Sequence, residues 1–172
     1  MSTYKIEKKW KIWYKNRRRE NIVEYNAGLT KKDLTEEDIK LKYITPANYG
    51  FIPRTYAGDG DPLDVLILCQ EEIYPLTLVE CYPIGVLKMI DDNENDEKII
   101  AIAKKDPFLN TYKDISEISA QVSAEIMHFF EVYKQLEGKQ TTIDKMMGRD
   151  EAERIIQESI DNYEKKFGTN KE

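Results

Sequence analysis

Asp59-Gly60-Asp61-Pro62-Leu63-Asp64 runs directly into Val65-Leu66-Ile67-Leu68, and its approach is Asn48-Tyr49-Gly50-Phe51-Ile52-Pro53-Arg54-Thr55. Three carboxylates fall within six residues, in a turn ordered by Gly60 and Pro62 at the mouth of an apolar run. Carboxylates this close repel one another and call for a counter-charge, which a hard divalent cation such as Mg²⁺ supplies through oxygen ligands. The plain alternative is an acidic turn leading into a strand, since Asp and Gly are ordinary turn residues. The spacing alone leaves both open. It matches an EF-hand poorly: counted from Asp59, the sixth position is Asp64 where that loop needs Gly, and the twelfth is Gln70 where it needs Glu.

A second acidic stretch shifts the balance toward a cation site. After the apolar run Ile84-Gly85-Val86-Leu87-Lys88-Met89-Ile90 comes Asp91-Asp92-Asn93-Glu94-Asn95-Asp96-Glu97-Lys98, and then Ile99-Ile100-Ala101-Ile102-Ala103. Two apolar runs joined by a short polar loop read as a hairpin. Asp91 and Asp96 then lie near the two mouths of that loop. A solvated hairpin tip is the ordinary meaning of such a charge run. Two acidic sites at strand ends, with Lys98 at the exit of one, fit a multi-metal phosphoryl-transfer site better.

Here the residues carry a family likeness. Asn48-Tyr49-Gly50 followed by Asp59-Gly60-Asp61-Pro62-Leu63-Asp64-Val65-Leu66 resembles the signature of the soluble (family I) inorganic pyrophosphatases. The stretch from Pro83 to Asp91, with Asp96 and Lys98 behind it, resembles their second metal loop. Ile126-Met127-His128-Phe129-Phe130-Glu131-Val132-Tyr133-Lys134 resembles the helix that brings a Tyr-Lys pair to phosphate. The likeness runs in one register from about Ile44 to Glu137.

The resemblance implies an α+β protein: an OB-like five-stranded β-barrel with two outer helices. It implies hydrolysis of pyrophosphate to two orthophosphates by a metal-activated water, with several Mg²⁺ ions per site and Mn²⁺ or Zn²⁺ as substitutes. By the same likeness, Asp59, Asp64 and Asp91 are direct ligands of a metal pair, and Asp96 serves the metals on the substrate side. Asp61 is both a ligand and the base touching the nucleophilic water. Lys98, Tyr133, Lys134 and Tyr49 hold phosphate oxygens, and Lys suits that task as a point charge. Read alone, Tyr133 is a core aromatic on an amphipathic helix and Lys134 a solvated helix lysine. His128 receives no catalytic role. The resemblance also implies a homo-oligomer, with a hexamer favoured, and offers Phe129, Phe130, His128 and Val132 as contact residues.

The likeness fails before Ile44. Where the family carries Lys-Tyr-Glu this chain reads Ile22-Val23-Glu24, so only Glu24 survives as a substrate-binding candidate. Glu36-Glu37 stand where Asp-Arg is expected, Thr45 replaces a Tyr before Pro46, and the family's early Glu would fall near Trp13 or Tyr14, where this chain has none. One well-placed donor on a developing charge contributes roughly 3 kcal/mol to lowering a barrier. Losing the Lys and Arg therefore predicts a rate lower by a factor of about a hundred, unless Arg17, Arg18 and Arg19 substitute. Read alone, those arginines form a solvated basic turn. A catalytically weakened scaffold that binds metal and phosphate, or a protein partner, is the alternative function. A third reading, an OB-type nucleic-acid module, rests on the barrel alone.

Composition narrows the rest. At 172 residues the chain is expected to form a single domain over residues 1–172. The net charge of −6 counts against nucleic acid as a partner, and no strand shows a basic, aromatic-studded face. No apolar run reaches membrane-span length. Residues 1–5 lack the apolar core of a signal peptide, which predicts a cytoplasmic protein. Cys69 and Cys81 lie in or beside apolar runs and are expected to be buried and free. A lone histidine, His128, counts against a Ser-His-Asp triad or a His-rich metal site.

The remaining elements follow from periodicity. Residues 6–14 alternate and predict a strand, 15–19 a basic turn, 21–25 a return strand, 28–38 a loop or short helical turn, and 39–44 a short β run. Pro46 opens what reads as a loop through the signature. Residues 63–69, 78–90 and 99–103, rich in Val, Ile and Leu, predict strands. Residues 104–112 predict a loop. Apolar residues at three- and four-residue steps predict helices over 118–137 and 150–167, each closed by a glycine, Gly138 and Gly168.

Overall fold

A computed structural model describes residues 10–14, 46–74, 76–91, 94–134 and 141–168. Expectations for residues 6–9 and 15–45, Glu24 and the three arginines among them, lie outside the described residues. The elements are β1 (Trp10–Tyr14), β2 (Asn48–Phe51), β3 (Asp64–Leu68), β4 (Leu78–Asp91), β5 (Glu94–Asn95) and β6 (Lys98–Ala103). A 3₁₀ turn (Ile115–Glu117), α1 (Ala120–Val132), β7 (Thr141–Gly148) and α2 (Arg149–Phe167) complete them.

Five strands close into a ring in the order β1-β2-β3-β6-β4 and back to β1. All neighbours run antiparallel except β3 and β6, which are parallel with Asp64 opposite Lys98. The closure depends on β4, whose 14 residues outrun every partner. Along one edge β4 pairs first with β1 (Trp10 opposite Cys81) and further on with β7 (Gly85 opposite Gly148). Along the other edge it pairs with β6 and then with β5. This is the five-stranded, OB-like α+β barrel that the family likeness implies, with β5 and β7 added to its long strand.

A strand that long must bend, and it does so at two irregularities, between Pro83 and Gly85 and between Lys88 and Met89. The first reverses the alternation of faces. Tyr82 and Ile84 point to one core, whereas beyond the shift Leu87 and Met89 do so. Gly85 has no room for a side chain: a Cβ would lie 2.8 Å from both the Ile115 Cβ and the Met147 carbonyl oxygen.

Two cores result. Val65, Ile67, Val86, Ile99 and Ala101 pack with Ala152, Ile155 and Ile156 of α2. Leu66, Leu68, Leu87, Ile100 and Ile102 pack with Ile126 and Phe130 of α1. Successive strand residues point to opposite faces, so one strand sequence feeds both helices. Continuous apolar runs, as in Ile99-Ile100-Ala101-Ile102, are what burial on both faces requires.

Several expectations need correction. Asn48–Phe51 is a strand, not a loop, because its backbone pairs with both β1 and β3. Thr141–Gly148 is a strand with no counterpart in the sequence reading. Its burial pattern does not alternate cleanly, and its place comes from the open edge of β4. The first helix is shorter than expected: Ser119 caps Ala120–Val132, and Tyr133 is its C-cap. The 3₁₀ turn stands before it. Phe130 is a core residue, 2% exposed, so it is unavailable as a subunit contact. His128 is exposed, 3.8 Å from Glu131. Both cysteines are free, but only Cys81 is fully buried.

The start of α2 has no side-chain cap of its own, since Gly148 occupies the N-cap position. Asp114, 35 residues earlier, does the work instead. Its Oδ2 accepts from Arg149 N at 2.8 Å, and its Oδ1 accepts from Ser116 N at 3.0 Å and Ser116 Oγ at 2.8 Å. The Arg149 and Ser116 backbone amides hold this carboxyl below the usual range. Asp114→Ala is expected to cost about 1–2 kcal/mol by urea unfolding, the size of a lost cap. A depressed carboxyl pKa contributes stability above the unfolded value. The difference between wild type and D114A should therefore shrink as pH falls below about 4. A constant difference down to the acid limit would show that the carboxylate is not the capping species.

Candidate active site

The site is assembled at the β3–β6 ladder. Asp64 and Lys98 open their strands, face each other across the parallel register and share a face. Lys98 Nζ donates to Asp64 Oδ2 at 2.7 Å and to Asp96 Oδ1. Lys98 is 3% exposed, so both contacts are made largely out of water. Burial opposes its charge, but Asp64 and Asp96 outweigh that and hold its pKa above the usual lysine value. Burial pushes the Asp96 carboxyl above the usual range, Lys98 pulls it back, and Asp64 and Asp59 push it up again.

Tyr49 reaches the same group from β2. It pairs with Leu66, two residues beyond Asp64 on the same face, and its hydroxyl donates to Asp64 Oδ2 at 2.5 Å. Burial, then the charge and hydrogen bond of Asp64, raises this phenol well above its ordinary value. Tyr49 therefore remains a hydroxyl donor across the physiological range.

Asp59 and Asp61 sit on the turn before Leu63. Asp61 N donates to Asp59 Oδ1 at 3.1 Å, and Asp61 is exposed. The turn lies against the β4–β6 hairpin, where a Cβ on Gly58 would come 3.5 Å from the Asn95 carbonyl oxygen. The influence of Asp59 on Asp96 follows from that approach. Asp96 itself is held by its amide, which donates to Met89 O at 3.0 Å.

Asp91 ends β4, opposite Glu94 on one side and Thr141 on the other. Its Oδ2 accepts from Lys134. Its Oδ1 is buried and has no hydrogen-bond partner among the described residues. Tyr133, beside Lys134, stacks on the Phe129 ring and meets Phe130 edge-on with centroids 5.4 Å apart. Phe130 also faces Tyr49 at 6.4 Å, and Lys98 Nζ stands 5.9 Å from its centroid. These rings join the Asp91–Lys134 pair to the Asp64–Lys98–Asp96 group. Phe130 is the wall that the sequence reading missed as a site residue. The usable signal was its place three residues before Tyr133, one helical turn away.

Tyr49, Asp64, Asp96 and Lys98 thus form one group, Asp91, Lys134 and Tyr133 form a second joined to it through Phe130, and Asp59 and Asp61 lie on the neighbouring turn, while Glu24 lies outside the described residues. Among the described residues, no three carboxylates stand close enough to make a ready-made cation cage. Lys98 lies between Asp64 and Asp96 instead, supplying the counter-charge. The donor set still fits a hard cation. All its ligand atoms are oxygens, and Asp91 Oδ1 is a buried carboxylate oxygen that no donor among the described residues satisfies. An apolar groove of about 270 Å³ bordered by Ala47, Leu68, Leu109 and Val122 has no charged side chain and does not suit a phosphate.

The model of the family described as inorganic pyrophosphatase matches residues 5–164. A soluble inorganic pyrophosphatase 2 of Chlamydomonas reinhardtii is 41% identical over 124 residues, covering 72% of this chain and 65% of that protein. An inorganic pyrophosphatase of Nanoarchaeum equitans is 45% identical over 140 residues, covering 75% of this chain and 88% of that protein. A solved inorganic pyrophosphatase from Helicobacter pylori superposes with a TM-score of 0.67 at 38% identity, over 69% of this chain and 72% of that one. The chain thus spans just under two thirds of the algal relative and most of the archaeal one. With the family match running almost from end to end over the same residues that build the barrel and the carboxylate–lysine cluster, the chain belongs to the inorganic pyrophosphatase family.

Proposed function

We propose that this protein hydrolyses inorganic pyrophosphate to two orthophosphates with the help of several divalent cations. The observation that carries the reading is the charge of the site. Asp64, Asp96 and Asp91 pair with only two ammonium groups (Lys98 and Lys134), and Asp59 and Asp61 on the neighbouring turn add two more carboxylates, a surplus of three negative charges. Such a site repels a polyanionic substrate unless cations bind with it. Asp59, Asp61, Asp64, Asp91 and Asp96 would hold the ions, and an all-oxygen set favours Mg²⁺, with Mn²⁺ or Zn²⁺ as substitutes. Bound there, divalent ions lower the pKa of water and neutralise both the attacked phosphate and the leaving group.

The chain's own groups do the remainder. Asp61 presents its carboxylate at the exposed tip of the turn and takes the proton of the attacking water. Lys98 and Lys134 exchange their carboxylate partners for phosphate oxygens as cations take up the carboxylates. Tyr49 and Tyr133 donate hydroxyl hydrogen bonds to the same oxygens. The Phe130 wall beneath Lys98 keeps water from one side and strengthens each of these contacts. Glu24 is proposed as a further substrate-binding residue on sequence likeness alone.

Phosphate release from pyrophosphate tests the reading. Release should require a divalent ion, stop on chelation and return when Mg²⁺ is restored. Metal-dependent binding of pyrophosphate without release would instead establish the weakened-scaffold alternative. A homo-oligomer, hexameric by family likeness, is proposed as the assembled form. Two unpaired thiols fit a reducing compartment such as the cytoplasm. Among the described residues no helix is long and apolar enough to cross a membrane.

A further inference from the structure

The turn that carries Asp59 and Asp61 leans on the far end of α2. Its base is fixed by buried Thr55, whose Oγ1 donates to Ile52 O at 2.5 Å and accepts from Leu63 N at 2.9 Å. Its tip is closed by Ala57 N to Asp61 O at 2.9 Å and Gly60 N to Ala57 O at 3.2 Å. Between base and tip stands Tyr56. Its amide donates to Ser159 O of α2 at 2.8 Å. Its ring meets Phe167 edge-on, with centroids 5.7 Å apart and planes at 81°. Lys166 Nζ lies 3.9 Å from the Tyr56 ring centroid and also hydrogen-bonds its hydroxyl.

The hydroxyl end of that ring also approaches the turn. Gly60 adopts φ +85°, and a Cβ there would approach the Tyr56 hydroxyl oxygen to 3.4 Å. Tyr56 is therefore held between the last turn of the C-terminal helix and the one residue that separates Asp59 from Asp61. Those carboxylates repel each other and, with the added push of Asp96, tend to open the turn outward. A ring fixed by an ammonium group and a second ring opposes that opening.

We propose that Tyr56, clamped by Lys166 and Phe167, is a positioning residue that sets the height of the Asp59-Gly60-Asp61 turn, so that its carboxylates face Asp64 and Asp96 as cation ligands. The inference rests on the metal reading above. It gives the end of α2, distant in sequence from every carboxylate of the site, a part in cation affinity. The clamp acts before substrate arrives, so its effect belongs to metal binding and not to the chemical step.

Mg²⁺ titration of the full chain by calorimetry, without pyrophosphate, tests this with wild type, Tyr56→Ala, Tyr56→Phe, Lys166→Met and the D59N/D61N double variant. Supporting residues around a metal site are commonly worth about 10- to 100-fold in affinity. Tyr56→Ala is expected to weaken Mg²⁺ by about 10-fold. Tyr56→Phe, which keeps the ring, should retain most of the affinity, and Lys166→Met should move it in the same direction as Tyr56→Ala by less. In turnover assays the Mg²⁺ concentration for half-maximal rate should rise in Tyr56→Ala, while kcat recovers at saturating Mg²⁺. A merely structural role would lower kcat at every Mg²⁺ concentration and leave the isotherm in place. If Tyr56→Ala and Lys166→Met both titrate as wild type while D59N/D61N loses affinity, the clamp is refuted and the metal reading stands. If D59N/D61N itself titrates as wild type, the turn is no metal site and both ideas fall.

Discussion

Replacing Asp61 by Asn is expected to lower kcat on pyrophosphate by about 10²- to 10⁴-fold, the range of a lost general base, with little change in thermal stability. The structure separates the two effects. Asp61 is exposed, and the turn uses only its backbone: the amide donates to Asp59 and the carbonyl accepts from Ala57. Both bonds survive in D61N. On the proposed mechanism, what disappears is the oxygen that takes the proton of the water and one unit of negative charge toward the cations. Steady-state kinetics across a Mg²⁺ series tells those losses apart. A kcat deficit that persists at saturating Mg²⁺ marks the base. A deficit that vanishes with added Mg²⁺ would reduce Asp61 to a ligand, and an unaltered kcat would remove it from the mechanism.

Lys98→Met should do two things at once. Without metal it leaves Asp64 and Asp96 facing each other across a buried gap. Breaking a buried ion pair by removing one partner costs about 3–5 kcal/mol. Asp64 and Asp96 keep side-chain exposures of 28% and 13%, so water screens part of this and the lower end is expected. For a chain of this size about 3 kcal/mol corresponds to roughly 6–12 °C in Tm. Added Mg²⁺ should restore much of the loss in K98M, since a cation can take the place of the ammonium group. Turnover should not return with it if Lys98 holds phosphate as proposed, since loss of one such donor costs about 10²–10³ in kcat.

The pH dependence of that pair carries a definite sign. Lys98 has a raised pKa, so its share of stability is present below the ordinary lysine value and is lost as pH climbs through the folded one. Asp96 is also raised, which for a carboxyl means that protonation favours the folded state: its share is present in acid and is lost as pH rises through its folded pKa. In metal-free K98M the Asp96 carboxyl loses its ammonium partner and protonates more readily still. The stability gap between K98M and wild type should therefore narrow as pH falls from neutral toward the ordinary carboxylate range. A gap that stays constant from neutral into acid would mean that Lys98 stabilises by packing and not by charge.

The parts of the fold that were legible in the sequence are those whose signal is local. The Val-, Ile- and Leu-rich runs became β3, β4 and β6 within a residue or two, because strands buried on both faces need continuous apolar sequence. Helix α2 lies almost where its apolar stripe placed it, with Asp150 and Glu151 in its first turn and Lys165 and Lys166 in its last. Two elements were not legible. Asn48–Phe51 is short and follows a proline, so it reads as loop, and its strand conformation comes from partners on both sides. Thr141–Gly148 lacks clean alternation, and its strand exists because β4 extends past the barrel and offers an unpaired edge.

The site divides the same way. By itself the sequence determined the chemistry available: three aspartates around Gly60 and Pro62, two more flanking a hairpin loop, a lysine at its exit and a Tyr-Lys pair at the end of a helix. Those identities and spacings are covalent facts, and together with the family likeness they pointed to a phosphate-handling metal site. Tertiary structure alone decided which groups touch. The parallel register of β3 and β6 set Lys98 against Asp64, 34 residues away. The closure of β1 onto β4 made a barrel of what could have remained an open sheet. The packing of α2 on the turn brought Lys166 to Tyr56, 110 residues apart. Local periodicity reports which face of an element is buried, whereas register and closure are set by contacts between distant segments, and no short window of sequence contains both partners.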